Sequence, residues 1–70
     1  MNIEYVKNFL NKQIKFDNKR SPIGFFTCKT VSIRMRINEK GEEIIEYAWL
    51  GPNDRYNSIF GIEHCSIIDN

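Results

Sequence analysis

Apolar and polar residues alternate without interruption from Val31 to Asn38. Val31, Ile33, Met35 and Ile37 fall on one face, and Ser32, Arg34, Arg36 and Asn38 on the other. That period of two marks a half-buried β-strand. Asn38-Glu39-Lys40-Gly41 follows, and then a second run from Glu42 to Leu50. The tetrapeptide reads as a type I turn closed by a glycine at positive φ, which forms a G1 bulge. Gly41 has no Cβ to clash in that conformation. In this register Gly41 and Glu42 together oppose Asn38. Met35 then pairs with Ile45, Ile33 with Tyr47 and Val31 with Trp49, so Tyr47 and Trp49 belong to the core. On the far face Arg34 pairs with Glu46, and Ile44, Ala48 and Leu50 point the same way. A tighter turn on Lys40-Gly41 would instead set Met35 against Glu46. Because a slip by one position exchanges the faces of a whole strand, the better apolar match favours the bulged turn.

The rest of the chain is short enough to pack around this hairpin. Asn2 to Leu10 reads as a helix, with Asn2 as N-cap, Glu4 in the first turn and an apolar stripe of Ile3, Val6 and Leu10 widened by Tyr5 and Phe9. So short a helix needs a sheet to dock on. Gln13 to Asp17 alternates as a strand with Ile14 and Phe16 inward, and Asn18 to Gly24 is a loop broken by Pro22 and Gly24. Phe25 to Lys29 is apolar at Phe26 and Cys28, which are even positions, whereas the next strand buries odd ones. The phase must switch near Lys29-Thr30, as when one strand bends at a barrel corner to serve two sheets. Gly51-Pro52-Asn53-Asp54 is a turn. Arg55 to Ile62 is a strand with Tyr56, Phe60 and Ile62 on one face. Ile62 to Cys65 is a single 3₁₀ turn, and Ser66 to Asp69 is a closing strand.

Five strands in an antiparallel meander, with a 3₁₀ turn before the last, resemble an SH3-like small β-barrel. With the leading helix the order is also similar to the Sm/Lsm variant of that barrel. The residues that carry the second likeness are Val6 to Phe16, which match the passage from helix to first strand, and Ile59-Phe60-Gly61-Ile62. The resemblance implies a mainly β fold: a closed, five-stranded antiparallel barrel with a short N-terminal helix. It does not extend to the family's RNA site. Ser32 to Met35 stand where that family has its aspartate–asparagine pair, and Phe60-Gly61 stands in place of its arginine–glycine.

Seventy residues make one domain, spanning 1–70. A chain of this size buries only about 60% of its unfolded surface, so closure into a barrel, self-association or a partner must help it. No apolar run approaches the roughly 20 residues of a membrane span, and the first residues lack the basic-then-apolar order of a signal peptide. These features point to the cytoplasm. Cys28 and Cys65 are too few for a disulfide scaffold and read as reduced, buried thiols.

Charge is uneven although the net is +1. Lys7 to Arg36 holds eight basic residues and one acid, whereas Ile37 to Asn70 holds two basic residues and seven acids. Such a division suits nucleic acid or a charged partner, unless the two halves interleave in space and cancel. Lys12, Lys15, Lys19, Arg20, Lys29 and Arg36 are the candidate anion or nucleic-acid contacts, with Phe25 or Tyr56 as stacking rings.

Catalytic chemistry is poorly provided for. His64 and Cys65 are adjacent, but neighbours in an extended chain diverge and there is no second histidine. The Cys and His residues fall short of a zinc set. Glu42, Glu43 and Glu46 read as a solubilising edge. No glycine-rich phosphate loop is present, and no cofactor is implied. The expectation is a non-enzymatic binding module that works by protein interaction or self-association. Its interface is the far face of the hairpin, Arg34, Arg36, Ile44, Ala48 and Leu50, which is too apolar for a wet surface. Two alternatives stay open: single-stranded nucleic-acid binding through the basic half, and capture of an anionic nucleotide between subunits. The Asn-, Lys- and Ile-rich composition also resembles that of small accessory proteins of AT-rich bacteria and their phages, which implies a regulatory or blocking role.

Overall fold

Two three-stranded antiparallel sheets share one core, with a short helix packed at its margin. The computed structural model describes residues 1–20, 23–53 and 58–68. Helix α1 (Ile3–Lys7) precedes β1 (Gln13–Phe16), β2 (Gly24–Thr27), β3 (Thr30–Ile37) and β4 (Glu43–Gly51). The chain ends with β5 (Phe60–Gly61), a 3₁₀ turn (Ile62–His64) and β6 (Cys65–Ile67). One sheet has the order β2-β1-β6 and the other β3-β4-β5. The fold is thus mainly β with a leading helix, but the described strands number six and close no barrel. The SH3-like barrel, and with it the Sm/Lsm likeness, is therefore corrected to two separate sheets.

The N-cap is as the sequence implies. Asn2 Oδ1 accepts from the amides of Glu4 at 2.6 Å and Tyr5 at 3.3 Å, satisfying donors that the first turn leaves free. The helix stops at Lys7, well short of Leu10. Tight turns carry the chain on to Asn11, which adopts φ 65°, a left-handed conformation that asparagine tolerates. Only Val6 and Phe9 of the anticipated stripe are buried; Ile3, Tyr5 and Leu10 are exposed.

β1 buries Ile14 and Phe16 as its alternation requires. The phase switch after Cys28 has a simple cause, because consecutive amides bond to different sheets. The Cys28 N–H donates to Lys12 O at 2.9 Å, at the end of the first sheet, and the Lys29 N–H donates to Gly51 O at 2.8 Å, in the second. Two distinct strands therefore flank the switch, where a single bent one was expected.

The hairpin turn forms as the sequence predicts. Gly41 lies at φ 80°, its N–H donates to Asn38 O at 3.0 Å, and the Asn38 N–H donates to Glu42 O at 2.9 Å. Asn38 Oδ1 also accepts from the amides of Lys40 and Glu42. Next to the turn, Met35 pairs with Ile45, Arg36 with Ile44 and Ile37 with Glu43. The register then shifts. Arg34 pairs with Tyr47, Ile33 with Ala48, Ser32 with Trp49 and Val31 with Leu50, which leaves Glu46 unmatched as a second bulge. An extra residue on one strand reverses which side chains point inward beyond it. Ala48 and Leu50 are accordingly fully buried, and Tyr47 and Trp49 lie on the outer face. The expected pairs Ile33–Tyr47, Val31–Trp49 and Arg34–Glu46 do not form.

The core joins Val6, Phe9, Ile14, Cys28, Ile45, Ala48, Leu50 and Ile62. Aromatic rings tie the sheets together at one end. The Phe60 ring lies 4.5 Å from that of Phe16 and 4.7 Å from that of Phe26, stacked on the latter, an arrangement that adds to simple area burial.

Candidate functional site

Strand length creates the most distinctive surface. β3 and β4 have eight and nine residues, whereas β1 and β2 have four each. At about 3.3 Å per residue the hairpin is roughly twice as long as the sheet that covers it. The molecule is correspondingly drawn out, 38 Å along its longest axis against 24 Å across. The inner face of β3 is covered near Val31 and bare towards the turn: Ile33 is 40%, Met35 45% and Ile37 67% exposed. Met1 and Ile3 approach from the start of α1 and are also exposed. Between them and Ile33, Met35 and Ile45 lies a hollow of about 370 Å³, with Glu43 on its rim. An exposed apolar row beside a hollow is a candidate contact surface.

β3 is also an edge strand, with β4 as its single neighbour among the described strands. Every second residue of an edge strand turns its N–H and C=O away from the ladder. Arg34 and Arg36 sit on the outer face, opposite Tyr47 and Ile44. Among the described residues neither reaches an acid within ion-pair distance, and the one such contact is His64 Nε2 to Glu63 Oε1 at 3.3 Å. Arg34 lacks its expected partner because Glu46 is the bulge residue.

Of the expected interface, Arg34, Arg36 and the half-buried Ile44 lie on the outer face, but Ala48 and Leu50 are core residues. The Glu46 bulge puts Tyr47 and Trp49 in their place. Those two rings stand 4.7 Å apart. The Tyr47 hydroxyl donates to the Glu63 carboxylate, and burial, followed by that bond and the Glu63 charge, pushes the phenol up to about 12.

The basic residues are divided between the two sheets. Lys15 is on central strand β1, directly opposite the exposed Phe25. Lys12 and Lys29 lie at the crossing point, where the Lys12 carbonyl accepts from the Cys28 amide. Lys19 and Arg20 occupy the following loop, while Arg36 stands near the far tip of the hairpin in the other sheet. Tyr56 lies outside the described residues.

His64 and Cys65 turn apart. The imidazole stands edge-on to Phe16, with ring centres 6.0 Å apart, and the Cys65 thiol donates to Gly61 O at 3.3 Å. Both cysteines are free, Cys28 buried and Cys65 half-buried. Burial raises the Cys28 thiol despite backbone hydrogen bonds that lower it. Burial, with smaller contributions from Cys28 and Glu63, pushes Cys65 up to about 11. Thiols so shifted are poor nucleophiles near neutrality. Among the described residues no three His, Cys, Asp or Glu side chains converge as a metal set, and no helix is long and apolar enough to cross a membrane.

Comparison with protein-family models, with curated proteins and with solved structures gave no match. No relative therefore supports the SH3 or Sm resemblance. Sequence reading missed the bare surface because it placed Ile33 and Met35 in the core ladder, whereas both are exposed. Among the described residues no strand outside the hairpin exceeds four residues, too few to cover it, whereas the sequence offers the run from Arg55 to Ile62 as a long covering strand.

Proposed function

We propose that this chain is a non-enzymatic protein-binding module whose docking surface is the bare inner face of β3 towards the hairpin turn. The observation that carries the proposal is the uncovered row Ile33, Met35 and Ile37, continuous with Met1 and Ile3. Burying a large aliphatic side chain is worth about 1.5–3 kcal/mol. A partner seated on this row therefore recovers the stabilisation that the second sheet supplies to the rest of the hairpin. The shifted thiols and the diverging His64 and Cys65 favour binding over catalysis.

Selection from a random-peptide display library tests this whatever the identity of the partner. Selected peptides should lose about tenfold or more in affinity for Met35→Glu, because a carboxylate placed in an apolar contact is costly. They should bind Lys15→Glu unchanged, since Lys15 lies on the other sheet. Binders indifferent to Met35→Glu, or an empty selection, would rule the face out.

A further inference from the structure

We infer that the partner is an extended segment of another protein, alternating apolar and acidic residues, that adds a strand to the open edge of β3. This deepens the binding role proposed above and rests on it. The geometry comes first. Strand addition needs an edge of several residues, and β3 has eight, whereas the other edge strands, β2, β5 and β6, have four, two and three. Side chains of an added strand alternate between faces. On the inner face they meet Ile33, Met35 and Ile37, which are exposed. On the outer face they meet Arg34 and Arg36, whose places opposite on β4 are held by Tyr47 and Ile44 and not by acids. The edge thus offers an apolar row and a cationic row, and the strand that matches both carries apolar residues at one parity and carboxylates at the other.

Charge also argues against a second copy of this chain on the same edge. A two-fold pairing centred on Met35 covers the most exposed apolar row, and it sets Arg34 against the copy's Arg36 on both sides of the axis. Like charges directly opposite are destabilising. The arginines therefore deter self-pairing, a common use of charge on edge strands, while attracting an acidic strand.

The test is fluorescence anisotropy with labelled nine-residue peptides that alternate valine with glutamate, with serine or with lysine. The glutamate peptide should bind about tenfold or more tightly than the lysine peptide, as two cross-strand pairs change from attraction to repulsion. The double variant Arg34→Glu, Arg36→Glu should reverse that order with its circular dichroism unchanged. N-methylation of alternate peptide amides, on one parity only, should abolish binding because it removes the donors of the new ladder. Equal affinity for all three peptides overturns the acidic-strand inference and leaves the hairpin face as the binding surface. Binding that survives N-methylation at both parities overturns strand addition. Binding by none of the peptides overturns the inference too, and the display selection then shows whether the face itself fails. A dimer in sedimentation that Met35→Glu dissociates overturns it in favour of a second copy.

Discussion

Leu50→Ala should lower the unfolding free energy by about 3 kcal/mol, within the usual range for removing a fully buried leucine. Leu50 has no exposed surface and packs in the cluster that includes Ile14, Ala48 and Ile62. The substitution removes transfer free energy and leaves a cavity between two sheets that cannot readily close on it. Ile44→Ala is the informative comparison. Ile44 lies before the register shift, on the outer face, and is half-buried, so its truncation should cost about 1 kcal/mol or less. In an unbroken ladder Ile44 and Leu50 share a face, and the two substitutions would cost similar amounts. Urea unfolding followed through Trp49 fluorescence separates the cases, provided the slope with denaturant is unchanged.

Gly61→Ala should cost about 2 kcal/mol, typical of overpacking at a tight site. Gly61 lies at φ −60°, so its backbone is open to any residue and the constraint is space alone. A Cβ there would fall within the Tyr47 hydroxyl and 3.4 Å from Glu63 Oε1, in the niche where phenol and carboxylate meet. The ring must swing away and give up its bond to Glu63. Tyr47→Phe removes the clashing oxygen and leaves the ring carbon Cζ as the nearest atom, at 3.3 Å. The double variant should therefore be less damaged than the two single changes added together, with a coupling of about 1 kcal/mol. Strict additivity would place the Tyr47 ring elsewhere.

The hairpin turn was legible because Asn38 and Gly41 each have a local role. One side chain accepts two amides, and one residue occupies positive φ. The N-cap at Asn2 and the inward pair Ile14 and Phe16 were legible for the same reason. The second bulge was not. From Ile45 to Leu50 both parities are apolar, Ile45, Tyr47 and Trp49 against Ala48 and Leu50, so periodicity cannot choose between them. Packing chooses. Ala48 and Leu50 fit the narrow space between sheets, while Tyr47 and Trp49 carry polar groups that favour a face with access to water. The barrel failed at a related point: a phase switch at Lys29 signals that the chain changes sheets, but not that the sheets stay joined. For the candidate site, Arg34, Arg36 and Ile44 were placed on the outer face correctly. Ala48 and Leu50 were misplaced by the unseen bulge, and the bare row on β3 was hidden by an expectation that every inward residue finds cover.

The register break at Glu46 is the feature on which the core, the outer face and the setting of Arg34 all depend, and deleting that residue tests it most directly. With Glu46 removed, Ile45 and Tyr47 become consecutive and still oppose Met35 and Arg34, so both faces keep their side chains. Urea unfolding of the deletion variant should then show a cooperative transition within about 1.5 kcal/mol of the parent, the cost of altering local twist. If Glu46 instead belonged to a continuous ladder, its loss would turn Tyr47 to Leu50 over to the wrong faces. An unfolded chain, or a loss as large as that of Leu50→Ala, would contradict the bulge.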